Sequence, residues 1–188
     1  MKESLKLGAI LFIITAICSG LLGFVNNITT PIIAENKKSS EQKAMKILMS
    51  EAEEFTEVPG IVDENIKQLY IAKSNDKSIG TVAKIGPSGY GGEITVLIGF
   101  DLDANIKGIK ILSLAETPGL GANATKGSFI NQFLQKIPPL NVVKTSPKDN
   151  EIEAITGATI TSAAIVKGVN EAAKYITDHK QELLTEGK

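Results

Sequence analysis

Four hydroxyl side chains surround the pair Gly157-Ala158 in the last third of the chain: Thr156, Thr159, Thr161 and Ser162. A segment with helical periodicity follows them directly. The N-terminus of a helix has unpaired N–H groups and the positive end of the helix dipole, so it favours a phosphate group. The hydroxyls can donate hydrogen bonds to a phosphate or form an ester with it. Helix capping is the other interpretation, because Ser and Thr are preferred at N-caps.

Two further segments have the composition of tight loops. Residues 89–92 have the sequence GYGG, and residues 116–121 have the sequence ETPGLG. Clusters of Gly and Pro usually mark turns. On composition alone, Glu116 is then a solvated loop charge and Tyr90 an aromatic residue at the edge of a strand.

The composition excludes several kinds of site. The 188 residues include one Cys, one His and no Trp, too few ligands for an iron–sulfur cluster, a c-type haem or a Cys/His zinc site. We therefore expect no metal site, and we assign no catalytic residue, because His179 lies about five helical turns beyond Thr159. With 21 acidic and 20 basic residues the formal charge is −1, which argues against nucleic-acid binding.

A long apolar run near the N-terminus predicts a membrane anchor. Residues 7–25 include no charged side chain, and a helix of about 19 apolar residues spans the hydrocarbon core of a bilayer. A signal peptide has a shorter apolar region followed by a small-residue cleavage site, which is not found here. Lys2 and Lys6 precede the run, so the positive-inside rule places the N-terminus in the cytoplasm and everything after Asn26 outside it.

The rest of the chain predicts one compact extracytoplasmic domain of the α+β class. Strand-like runs lie at residues 68–73, 78–85, 94–100 and 106–112, and the last two predict a hairpin around residues 101–105. We place the cytoplasmic tip and anchor at 1–34, a membrane-proximal helix and linker at 35–60, and the folded domain at 61–188.

Three segments of this part have helical spacing. Residues 35–54 predict a membrane-proximal helix with Ala44, Ile47, Leu48 and Met49 on one face. A shorter helical segment includes Phe129, Phe133 and Leu134, and Pro138-Pro139 closes it. The C-terminal helix begins near Thr161 and has one apolar stripe, formed by Ile165, Val169, Ala172, Ala173 and Ile176.

The hydroxyl cluster resembles the modification motif of a known family. TGAT at residues 156–159, followed by ITS, is similar to the S/T-G-A-T motif of bacterial FMN-binding domains. In those domains a separate flavin transferase joins FMN to the last Thr through a phosphoester. ETPGLG and GYGG resemble two further signatures of the same domains and occur in the expected order. The family usually has Asp six residues before the modified Thr, where this chain has Glu153 and so keeps a carboxylate.

The resemblance implies a role for each of these positions. Thr159 would hold FMN covalently through a phosphoester. The phosphate would be surrounded by Thr156, Gly157, Ala158, Thr161 and Ser162. The flavin ring or ribityl chain would contact the polar residues Glu116 and Thr117, a wall formed by Pro118, Gly119, Leu120 and Gly121, and the ring of Tyr90.

The plan of the whole chain is similar to the G subunits of Rnf electron-transport complexes. The C subunits of sodium-translocating NADH:quinone reductases have the same plan but are usually longer, and they remain an alternative. The resemblance implies an electron carrier that is not an enzyme alone. Its partners would be the other membrane subunits of an ion-translocating ferredoxin:NAD oxidoreductase and a flavin transferase. A membrane-anchored binding module without redox chemistry, in which TGATITS only caps a helix, is the competing interpretation.

Overall fold

The computed structural model describes residues 2–60, 63 and 65–186, but not the side chains of residues 184–186. The predicted domain 61–188 therefore begins and ends at positions outside the described residues. A long N-terminal helix precedes a domain of mixed helices and sheet, which confirms the predicted α+β class. The chain divides into two compact units between Glu41 and Gln42, and each unit is described by itself.

The first helix, α1, extends from Lys2 to Leu48 without interruption. Its length and apolar composition are sufficient to cross a membrane. Pro31 lies inside it and lacks the N–H that would pair with a carbonyl one turn earlier. Next to it, the Thr30 hydroxyl donates to the Asn26 carbonyl oxygen at 2.6 Å, whereas the carbonyl that loses its helical N–H partner at the proline is that of Asn27. The helix predicted over residues 35–54 is therefore the continuation of α1, and it ends at Leu48 rather than near residue 54.

Five antiparallel strands form a sheet in which neighbours along the chain are neighbours in space. They are β1 (Glu54–Glu57), β2 (Ile66–Ser74), β3 (Lys77–Ile85), β4 (Thr95–Phe100) and β5 (Ile106–Ser113). Strands β2 to β5 confirm the four predicted runs, and the predicted hairpin pairs β4 with β5. Strand β1 was not predicted because it is only four residues long and both of its end residues are glutamates.

Shorter elements connect the sheet to the C-terminal helices. A 3₁₀ turn (Gly121–Thr125), the helix α2 (Gly127–Ile130) and a second 3₁₀ turn (Asn131–Phe133) are followed by a parallel pair, β6 (Asn141–Val143) and β7 (Glu151–Glu153). The helices α3 (Thr159–Asp178) and α4 (Lys180–Glu186) complete the described chain. Phe129 and Phe133 are buried with their rings edge to face, but Leu134 follows the last turn and is 48% exposed, so its predicted place in a helix is wrong.

Helix α3 packs on one face of the sheet through its predicted apolar stripe. All five stripe residues are buried in the same cluster as Ile85, Ile98 and Phe100 of the sheet. Burying each of the three larger side chains, Ile165, Val169 and Ile176, contributes about 1.5–3 kcal/mol. The stripe therefore fixes where the helix begins relative to the strands and their loops.

The end of α1 packs on the opposite face. Ala44, Met45 and Met49 are buried in a second cluster that includes residues of β2, β3 and β4. Gly99 and Gly108 lie directly opposite each other in β4 and β5. A Cβ at Gly99 would lie 3.3 Å from Leu48 Cβ, and one at Gly108 would lie 3.2 Å from Leu48 Cδ2. The two glycines therefore leave room for Leu48 between helix and sheet.

The β4–β5 turn is organised by the carboxylate of Asp101. One oxygen accepts the N–H groups of Asp103 and Asn105, and the other accepts the side-chain amide of Asn105, all at 2.9 Å. Partial burial raises the pKa of the Asp101 carboxyl, but these hydrogen bonds and the charge of Lys107 outweigh it. The pKa therefore lies below its ordinary value of 3.8.

We expect Asp101→Ala to lower the free energy of unfolding by about 1–2 kcal/mol at pH 7, because the turn loses three hydrogen bonds to a charged acceptor. Since the pKa is lower in the folded state, this contribution is present above the unfolded-state pKa and disappears as the pH falls through the folded-state pKa. Urea unfolding of the full-length protein in detergent, from pH 7 to about pH 2.5, measures both effects.

Asp103→Asn is the matched control in the same turn. Asp103 forms an exposed ion pair with Lys180, so its loss should cost less than about 0.5 kcal/mol at any pH. An Asp101→Ala penalty of the same size at both ends of the pH range would contradict the assignment.

Candidate functional site

The start of α3 has no side-chain cap. The N-cap residue is Ala158, and no side chain of the described chain caps it. Gly157 has a φ of +75°, a conformation that glycine adopts without strain, and it turns the chain so that Ala158 rather than a threonine precedes the helix. The capping interpretation of the hydroxyl cluster is therefore wrong. The first N–H groups of α3 point towards the space in front of the helix.

The hydroxyl residues at this helix start have different surroundings. Thr156 and Thr159 are exposed, whereas Thr161 and Ser162 are buried. The Ser162 hydroxyl accepts the Ile155 N–H at 3.0 Å and donates to the Ala158 carbonyl oxygen at 3.1 Å. Ser162 therefore holds the turn that leads into α3 and directs no hydroxyl outward, which differs from the role that the resemblance implied.

The carboxylate of Glu116 connects the three predicted segments. One oxygen accepts the Gly91 N–H at 3.0 Å, and the other accepts the Thr161 hydroxyl at 2.8 Å. Glu116 is only 7% exposed, so it is not the solvated loop charge that composition alone favoured. Its side chain ties the GYGG loop and the ETPGLG loop to the first turn of α3.

Glycines make this close approach possible. A Cβ at Gly89 would overlap one carboxylate oxygen of Glu116, and a Cβ at Gly121 would overlap the other. The 89–92 loop is closed by a hydrogen bond from the Gly89 N–H to the Gly92 carbonyl at 2.8 Å. Tyr90 lies at its tip and is 73% exposed, so the loop presents an aromatic ring beside the buried carboxylate.

These segments enclose a cleft of about 600 Å³, within the range of about 300–1,000 Å³ that is typical of small-molecule sites. The predicted site residues that line it are Tyr90, Glu116, Thr117, Leu120, Gly121, Gly157, Ala158, Thr159 and Thr161. Ile160 also lines it and was missed. The sequence signal that could have identified Ile160 is that it is a large apolar residue of α3 outside the apolar stripe. In the structure its side chain is 57% exposed.

Thr156 faces a neighbouring depression of about 580 Å³ rather than the cleft. Lys126 and Glu153 also line that depression. The Glu153 N–H donates to the side-chain oxygen of Gln132 at 2.7 Å, so the backbone before TGAT is fixed to the second 3₁₀ turn. In this part of the chain, residues 153–156 line the depression, and residues 157–161 line the cleft.

The comparisons with known proteins agree with this arrangement. Residues 89–174 match the family of FMN-binding domains, and residues 1–47 match the RnfG N-terminal region. The G subunit of the proton-translocating ferredoxin:NAD(+) oxidoreductase complex of Clostridium ljungdahlii is 39% identical over 166 residues, which cover 87% of each chain. The corresponding subunit of the Na(+)-translocating complex of Acetobacterium woodii is 40% identical, over 90% of this chain and 89% of that one.

The chain belongs to the family of G subunits of ion-translocating oxidoreductase complexes. Its matched FMN-binding region includes GYGG, ETPGLG and TGAT. The fold is also that of two solved C subunits of sodium-translocating NADH:quinone reductases. The chain from Parabacteroides distasonis has a TM-score of 0.55 at 21% identity, over 69% of this chain and 78% of that one. The one from Shewanella oneidensis has a TM-score of 0.54 at 18% identity, over 62% and 60%.

We expect Ser162→Ala to destabilise the protein by about 1–3 kcal/mol, because the Ile155 N–H loses its partner. Hydrogen exchange followed by mass spectrometry should show faster exchange of the peptide that includes Ile155. Ser128→Ala is the control, since Ser128 is exposed. Within the described chain, the Gln132 side chain bonds to the backbone carbonyl oxygen of Ser128 and not to its hydroxyl. Unchanged exchange at Ile155 in the Ser162 variant would contradict the role given to that hydroxyl.

Proposed function

We propose that this chain is the membrane-anchored, FMN-carrying electron-transfer subunit of an ion-translocating ferredoxin:NAD oxidoreductase complex. FMN is attached to Thr159 through a phosphoester. The observation that carries the proposal is the position of Thr159, exposed in the first turn of an uncapped helix and lining a cleft formed by all three predicted segments. The relatives from Clostridium ljungdahlii and Acetobacterium woodii support the assignment to this complex rather than to a quinone reductase, for which only the fold is similar.

The phosphate end of the site fits the start of α3. The free N–H groups and the dipole of the helix favour a negative group next to Thr159. Gly157 has no side chain that would obstruct this approach, and Ala158 adds only a methyl group. Thr161 contributes its backbone N–H, since its hydroxyl donates to Glu116. Ser162 holds the turn behind the phosphate.

The ring end of the site fits a flat apolar group. Tyr90, Leu120 and Ile160 line the cleft and are exposed by 73%, 43% and 57%. Large apolar side chains that remain exposed around a cleft are typical of ligand sites. When bound there, FMN supplies the capacity to accept electrons and pass them on. The protein contributes binding, orientation and local charge.

Attachment to Thr159 requires a separate flavin transferase. A threonine hydroxyl is a weak nucleophile and needs a base. Of the residues that line the cleft, only Glu116 has a carboxylate, and both of its oxygens already accept hydrogen bonds from the protein. Thr159 is exposed, so an external enzyme can reach it. Glu153, six residues earlier, lies on the exposed surface next to the same turn.

In the proposed orientation, the flavin domain lies on the extracytoplasmic side of the membrane. α1 has the length and composition of a membrane span, and Lys2 and Lys6 at its start favour a cytoplasmic N-terminus. A covalent link suits this location, because FMN lost outside the cytoplasm is not readily recaptured. The electron partners are then other membrane subunits of the complex, while ferredoxin and NAD react on the cytoplasmic side.

Thr159→Ala should yield a folded protein without covalent flavin. Coexpression with a flavin transferase should add about 438 Da to the wild-type chain, the mass of FMN less one water. The Thr159→Ala chain should keep its unmodified mass and show no flavin fluorescence after denaturing electrophoresis. Thr125→Ala, which removes an exposed hydroxyl elsewhere, should be modified like the wild type. Fluorescent flavin on the denatured Thr159→Ala chain would refute the attachment site.

The orientation can be tested with single cysteines in a Cys18→Ala background. A membrane-impermeant maleimide should label Ser128→Cys in intact cells but should label Ser4→Cys only after the membrane is broken. Ser128 is exposed in the domain, and Ser4 lies in the first turns of α1. The reverse pattern would place the flavin domain in the cytoplasm.

A further inference from the structure

The charge distribution of the cleft is one-sided. Of the ten residues that line it, only Glu116 has a charged side chain. The neighbouring depression includes one charge of each sign, Lys126 and Glu153, and both side chains are exposed. The Lys67–Glu93 ion pair at 3.0 Å lies outside the residues that line the cleft. Among the described residues, the one charged side chain that lines the cleft is therefore a buried carboxylate.

Two hydrogen bonds fix the position of the Glu116 carboxylate. Each oxygen accepts a hydrogen, one from the Gly91 N–H and one from the Thr161 hydroxyl. An ionised carboxylate can accept hydrogen bonds at both of its oxygens. The two bonds hold the Glu116 carboxylate in a fixed position in the wall of the cleft.

We infer that the Glu116 carboxylate lowers the reduction potential of the flavin, in addition to joining the three segments of the site. The inference rests on the proposed function, because it requires FMN in this cleft. Each electron that the flavin accepts from a partner adds negative charge to the ring or requires a proton to neutralise it. Glu116 is neither oxidised nor reduced, and its charge opposes the added electron through the field alone.

Burial makes this effect larger than that of a surface carboxylate. Glu116 is 7% exposed, and charges with little solvent contact interact more strongly and are screened less by salt. Among the described residues that line the cleft there is no lysine or arginine to compensate for it.

Two substitutions separate the charge of Glu116 from its structural role. Glu116→Gln keeps the size of the side chain, its oxygen still accepts the Gly91 N–H, and its amide donates to the Thr161 hydroxyl oxygen, but the charge is lost. Glu116→Asp keeps the charge but is one methylene too short to reach both donors. An electrostatic role predicts that the potential follows the charge. A purely structural role predicts the larger change in the aspartate variant.

The experiment measures the midpoint potential of the covalent flavin by spectroelectrochemistry on the full-length protein in detergent. Intact mass first establishes that each variant has the added FMN. Glu116→Gln should raise the equilibrium constant for reduction of the flavin about tenfold per electron. This corresponds to a midpoint potential that is about 59 mV higher. Glu116→Asp should change it much less. Glu93→Gln, which removes a surface carboxylate in a nearby loop, should leave the potential unchanged.

The outcomes distinguish the inference from the proposed function. A wild-type chain that takes up no FMN in coexpression overturns both. Full attachment with an unchanged potential in Glu116→Gln, or with an equal shift in Glu116→Asp, overturns the inference alone. If Glu116→Gln does not fold, Thr117→Lys adds a positive charge to the same lining and should also raise the potential. An unchanged potential in that variant counts against the electrostatic role.

Discussion

The site depends on the two hydrogen bonds of one buried carboxylate. Glu116 lies in the loop after β5, yet its oxygens reach the loop before β4 and the first turn of α3. Without their partners, the buried carboxylate and the buried Thr161 hydroxyl would each cost about 1–3 kcal/mol. The carboxylate therefore fixes the spacing of three segments that are far apart in the chain. Glycines at positions 89 and 121 allow the backbone to surround it so closely.

The sheet provides the frame on which these loops are held. The apolar stripe of α3 is buried on one face, and the end of α1 is buried on the other face beside Gly99 and Gly108. Because α3 is anchored along its length, its N-terminus has a defined position at the edge of the cleft. No side chain of the described residues caps that N-terminus, which is unfavourable for the empty protein and suitable for one that holds a phosphate there.

Local patterns in the sequence predicted much of the fold. The strands β2 to β5 and the stripe of α3 have periodicities that arise from neighbouring residues alone. The pair β6–β7 was not predicted because its strands have three residues each and are stabilised by residues distant in the chain. The anchor and the membrane-proximal helix were predicted as separate elements, whereas α1 continues through Pro31, which removes only one hydrogen bond from a long helix. Leu134 was misplaced because the chain leaves the helical geometry at Phe133.

The sequence alone determined the class of protein, the long apolar anchor and the three segments from which the cleft is built. Those features follow from residue types and short spacings. Only the tertiary structure decided how the hydroxyl residues differ. Thr159 is exposed, the Thr161 hydroxyl donates a hydrogen bond to Glu116, and the buried Ser162 hydroxyl accepts the Ile155 N–H. It also showed that Glu116 is buried and that Ile160 lines the cleft. Burial and hydrogen-bond partners are properties of segments packed together, and four adjacent hydroxyl residues look alike until that packing is known.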